Sequence, residues 1–100
     1  MAYKKKAIPE KVRREVIERD RGICRYCGKP GRVSRHSNTV WIGIEHEIDH
    51  VLPECLGGEA TYENLVIACR HCNRTKSSKT LEESGMTLLP VPEDEYVEAN

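Results

Sequence analysis

One hundred residues with 38% apolar content, 32% charged residues and no Phe make one domain with a thin core. No run approaches the roughly 18 apolar residues that cross a membrane, and the first residues lack the apolar stretch of a secretory signal, so a cytoplasmic setting is expected. Net charge is zero, yet residues 1–35 carry twelve Lys or Arg against four acids, and residues 36–100 carry four against twelve.

In chain order, residues 1–7, with Lys4, Lys5 and Lys6, read as a flexible basic arm. A helix is predicted over 8–20. Pro9 suits its first position, and Ile8, Val12 and Val16 recur every four residues. Arg13, Arg14 and Arg19 would project from its polar sides, and Gly22 would stop it. Cys24-Arg25-Tyr26-Cys27-Gly28-Lys29 has the form of a tight turn presenting two thiolates. A short strand over 31–37 and a turn at Ser37-Asn38 follow. Residues 39–49 give the strongest strand signal. Val40, Ile42, Ile44 and Ile48 share one face at period two, and Trp41, Glu45, Glu47 and Asp49 share the other.

Pro53 ends that strand, and Gly57-Gly58 make a turn. Asn64 opens a return strand over 65–68, and a polar helix is expected over 70–79. Thr80-Leu81-Glu82-Glu83 resembles a capping box. Pro90, Pro92 and an acidic run mark residues 90–100 as an extended or disordered tail, leaving 8–89 as the domain.

A core this small calls for a staple. Cys24, Cys27, Cys69 and Cys72 form two C-x-x-C pairs. In a reducing compartment such pairs favour metal over disulfide. Two residues between partners let both sulfurs reach one tetrahedral ion at about 2.3 Å. Two pairs close the shell, so the ion is structural. Zinc is the first choice, although spacing leaves iron open. A thioredoxin-like reading would need a βαβ unit, which the chain lacks. Cys55 has no partner and reads as a small semi-buried residue.

Asp49 and Asn73 are oxygen ligands, and a return strand with its helix could bring them to one hard cation. That chemistry suits Mg²⁺ or Mn²⁺, completed by waters and a substrate phosphate. His50, next to Asp49, could take a proton from water. The side-chain amide of Asn64 can bridge backbone groups across the loop it closes. Glu47 reads as a neighbour of the ion, a ligand through water, or an exposed strand carboxylate. His36, His46 and His71 read as surface residues.

D-H-V-x-P, then G-G, then N-L, then C-x-x-C-N-x-x-K resembles the HNH endonuclease family with its ββα-metal (His-Me finger) fold. The closer resemblance is to small zinc-containing HNH proteins of phages and bacteria. It implies an α+β domain with an N-terminal helix and a four-cysteine zinc site. It implies a nuclease that hydrolyses DNA phosphodiester bonds, by nicking or double-strand cleavage, to a 3′-hydroxyl and a 5′-phosphate. His50 would be the general base, Asn64 would orient the loop, and Asp49 and Asn73 would hold the catalytic cation. Asn73 stands where many members carry a final His, so the chain is an H-N-N variant.

DNA would be met mostly through phosphates, by Lys76 and Arg74 near the centre and by Arg13, Arg14, Lys4, Lys5 and Lys6. With one centre per chain, a monomer would nick and a homodimer could cut both strands. Two rival readings stand beside this one. One is a non-catalytic zinc-ribbon module that binds nucleic acid through its basic half. The other is a small adaptor whose acidic tail meets a protein partner.

Overall fold

The structure is a computed structural model that describes residues 6–93. Most of the basic arm, with Lys4 and Lys5, and tail residues 94–100 lie outside the described residues. The first helix, α1, spans Glu10–Asp20. Pro9 is its N-cap rather than its first residue, since its ψ of 140° is extended. Val16 and Ile17 are its buried apolar residues, with Ile8 and Val12 packed alongside. The helix ends at Arg21, which takes the left-handed conformation before Gly22 does. Gly22 has its own reason to be glycine: a Cβ there would collide with Val33.

The cysteine turn follows. The Cys24 N–H donates to the Lys29 carbonyl, and the Gly28 N–H to the Cys24 carbonyl, both at 2.9 Å. Strands β1 (Val33–His36) and β2 (Thr39–Ile42) pair antiparallel, joined at Ser37-Asn38. The single strand expected over 39–49 is broken. After β2 the chain turns at Gly43, whose N–H donates to the Arg32 carbonyl and whose carbonyl accepts from the His46 N–H. Strand β3 (His46–His50) then joins a different sheet. Val40, Ile42 and Ile48 still meet in one core, but Ile44 falls on the turn and is 86% exposed.

Strand β4 (Leu65–Cys69) pairs antiparallel with β3, placing Asp49 opposite Val66 and His50 opposite Leu65. Every residue of β4 is buried, because both of its faces are covered. Leu65 and Ile67 pack with Val16, Ile17 and Val40. Val66 and Ala68 pack with Cys24, Tyr26, Cys69 and Cys72. Helix α2 (Arg70–Lys76) leaves the end of β4 directly, and stops three residues before the expected end. Ser77 closes it at a positive φ of 55°, its N–H donating to the Asn73 carbonyl. Helix α3 (Leu81–Ser84) carries the capping box that its sequence announces.

A buried ionic knot joins the parts. Asp20, with no exposed surface, accepts from Arg19 at 2.7 and 2.9 Å, from Arg25 at 2.8 Å and from the Ile67 N–H at 3.0 Å. Arg25 also donates from Nε to the Leu89 carbonyl, tying the chain after α3 to the cysteine turn. Arg19, expected on a polar face, thus lies against the core. A buried carboxylate needs such partners, because an unpaired charge there costs several kcal/mol or more.

Candidate active site

The four cysteine sulfurs all lie within 4.8 Å of one another, and Cys27 and Cys69 approach to 3.7 Å. A tetrahedron of sulfurs at about 2.3 Å from one ion has edges of roughly 3.8 Å, so the cluster is already the size of such a shell. Backbone N–H groups point at two of the sulfurs: Tyr26 to Cys24 and Cys72 to Cys69, each at 3.4 Å. Burial pushes the Cys24 thiol up, but surrounding hydrogen bonds outweigh it and leave that thiol lowered. Cys72 is raised, by burial first and then by its cysteine neighbours. Four crowded thiols cannot all ionise without a cation, so the donor set fits a bound metal and is consistent with zinc. Cys55 stands apart and is exposed, not semi-buried.

Asp49, His50 and Asn73 line one cavity of about 460 Å³, between the end of β3 and α2. Asp49 is 9% exposed. Its Oδ2 accepts from the Tyr26 hydroxyl at 2.7 Å and lies 3.2 Å from the Lys76 ammonium. Both partners sit on Oδ2, and Oδ1 has no hydrogen-bond partner among the described residues. Asn73 donates from Nδ2 to Oε1 of Glu47. A carboxylate only accepts, so Glu47 must draw the amide nitrogen and leave Asn73 Oδ1 as the free acceptor. Two oxygens without a partner among the described residues, one charged and one neutral, fit a hard divalent ion. His50 has a buried Nε2 without a partner among the described residues.

Asn64 closes the intervening loop as its amide chemistry allows. Its Oδ1 accepts from the Leu52 N–H at 2.9 Å, and its Nδ2 donates to the Leu52 and Glu59 carbonyls at 3.0 Å. Gly58 passes so close that a Cβ would strike the Leu52 carbonyl. The loop from Leu52 to Asn64 is therefore held in one shape directly after His50.

Several expectations need correction. Lys76 does not offer its charge to phosphate: it has no exposed surface, and its ammonium donates to the His50 carbonyl at 2.9 Å besides pairing with Asp49. A buried ammonium must find acceptors, and these two supply them. His46 is not a surface residue but 4% exposed, its Nε2 3.0 Å from the Lys29 carbonyl. Arg13 bonds the Val40 carbonyl and lies over Trp41, 5.0 Å from the ring centre. Arg14 reaches the Asn38 carbonyl at 3.3 Å. Arg74 is exposed, as is Lys6. Nothing local in the sequence marks Tyr26; only the fold brings its hydroxyl to Asp49.

A family model described as HNH endonuclease matches residues 24–79, from the first cysteine to just past α2. The match takes in all four cysteines with Asp49, His50, Asn64 and Asn73. The chain is also similar to the type IV methyl-directed restriction enzyme EcoKMcrA of Escherichia coli (strain K12). The two are 30% identical over 76 residues, a span covering 72% of this chain and 26% of the relative. The chain thus spans about a quarter of that protein's length.

Proposed function

The chain belongs to the HNH endonuclease family, and on that premise we propose that it hydrolyses DNA phosphodiester bonds with a Mg²⁺ or Mn²⁺ ion held by Asp49 and Asn73. The observation that carries this is the shared cavity of Asp49, His50 and Asn73, with an oxygen of each ligand left unshared. Zinc fills the four-cysteine site and serves the fold.

In the reaction His50 takes the proton of the attacking water. Nε2 is buried, so Nδ1 is the ring nitrogen that meets the water. Asn64 keeps the loop after His50 from shifting the ring. Asp49 and Asn73 would hold the cation from β3 and α2, and a bound cation would supply Lewis-acid stabilisation of the charge that develops on the scissile phosphate. Arg74, exposed on α2, meets a neighbouring phosphate. Lys4, Lys5 and Lys6 extend that contact and make binding sensitive to salt and indifferent to sequence. The relative's name supports DNA as the substrate; with a quarter of its length spanned, no preference for methylated sites is carried over.

The test is relaxation of supercoiled plasmid in Mg²⁺ or Mn²⁺ against EDTA, with His50→Ala beside the wild type. Losing a general base costs about 10²- to 10⁴-fold in rate. DNA affinity and zinc content should stay near wild type in the variant. Undiminished cleavage by His50→Ala would remove the base assignment. Absence of cleavage by the wild type in either metal, with binding retained, would favour the zinc-ribbon module.

A further inference from the structure

We infer that Tyr26 is a positioning residue of the cleavage centre: its hydroxyl, from inside the cysteine turn, fixes which oxygen of Asp49 meets the cation. The inference rests on the proposed reading of Asp49 as a cation ligand. Tyr26 lies between Cys24 and Cys27 and is only 9% exposed. A buried tyrosine needs one acceptor for its hydroxyl, and a backbone carbonyl would serve. Here the acceptor is Oδ2 of Asp49, at 2.7 Å.

A carboxylate turns easily about its last bond, between two equivalent settings. Two donors on one oxygen break that equivalence. Tyr26 approaches from the cysteine turn, and Lys76 from α2, 3.2 Å from the same oxygen. Oδ1 is then the only oxygen left for the ion. Both donors are anchored by the thiolate cluster: Tyr26 precedes Cys27, and Cys72 lies in the first turn of the helix that carries Lys76. The structural metal thereby reaches the cleavage centre through two side chains. Their roles differ. The ammonium offsets the charge of Asp49 and weakens its hold on a cation, whereas the phenol orients the carboxylate and leaves its charge.

Tyr26→Phe removes the hydroxyl and keeps the ring in the core. Losing such an outer partner of a ligand typically costs about 10- to 100-fold in metal affinity. The measurement is Mn²⁺ binding by electron paramagnetic resonance on zinc-loaded wild type, Tyr26→Phe and Asp49→Ala. Zinc content is measured alongside. The expected result is one zinc per chain in Tyr26→Phe, with Mn²⁺ affinity lowered in that range and excess Mn²⁺ restoring most of the cleavage rate. Unchanged Mn²⁺ affinity in Tyr26→Phe, with Asp49→Ala weakened, overturns the role of Tyr26 and leaves the reading of the centre standing. Unchanged affinity in Asp49→Ala overturns both. Loss of zinc from Tyr26→Phe overturns the inference in favour of a purely structural tyrosine.

Discussion

The two faces of β4 are held by different physics. Leu65 and Ile67 meet Val16, Ile17 and Val40 in apolar contact, with Asp20 and its arginines at the edge. Val66 and Ala68 meet a cluster in which Cys24, Cys69 and Cys72 form much of the wall. The first face is assembled from apolar contacts and the ionic knot of Asp20, and needs no metal. The second is built around four cysteines placed to share one ion, so it should give way when that ion is removed. Asp49 and Asn73 belong to the second side, so the proposed cleavage centre rests on the half that needs the metal.

The strongest way to break the contrast is to remove the metal. Cys69→Ser, or prolonged chelation, should cost the second face most of its stability, since four-ligand zinc binding is worth roughly 10–16 kcal/mol in small domains. Loss of the cooperative melt together with zinc is the expected outcome; a metal-free protein with an unaltered melting temperature would refute the division. Next comes Asp20→Asn, which leaves the buried Arg25 and the half-buried Arg19 without their counter-charge. Breaking a buried pair this way costs about 3–5 kcal/mol. Urea melts should show it, with zinc content preserved.

The smallest effect belongs to Glu18 and Arg35, an exposed pair at 2.5 Å between α1 and β1. The hydrogen bond from Arg35 holds the Glu18 carboxyl below its ordinary value. Its contribution is therefore present above the unfolded carboxyl's range and lost as pH falls through the folded one. Water and salt screen such a pair. Glu18→Gln should shift the urea midpoint at neutral pH least of the three, and the two proteins should converge in strong acid. A shift as large as that of Asp20→Asn would show that water does not screen this exposed pair.

Much of this was legible in the sequence. The cysteine spacing announced the cluster, the run from Leu65 announced β4, and Asn64 and Thr80 sit where their side chains bond as local chemistry demands. Each of these signals lies within a few residues of its partner or rests on a fixed spacing. What escaped has partners far along the chain. Lys76 looks like any polar helix residue until Asp49 is beneath it, and Arg25 looks like a surface cation until Asp20 is. Ile17 lay beside the counted stripe of α1. The alternation of Val40, Ile42, Ile44 and Ile48 hides the turn, because Gly43 signals one only once the Arg32 carbonyl is there to receive its N–H.

The sealing of Lys76 has a practical consequence. An amine without accessible surface cannot be acylated while α2 rests on β3. Lys79, three residues on and exposed, reacts from the start. The ratio of reagent incorporated at the two lysines, followed by mass spectrometry, is a built-in clock for how often α2 lifts from β3 beside Asp49, readable without substrate.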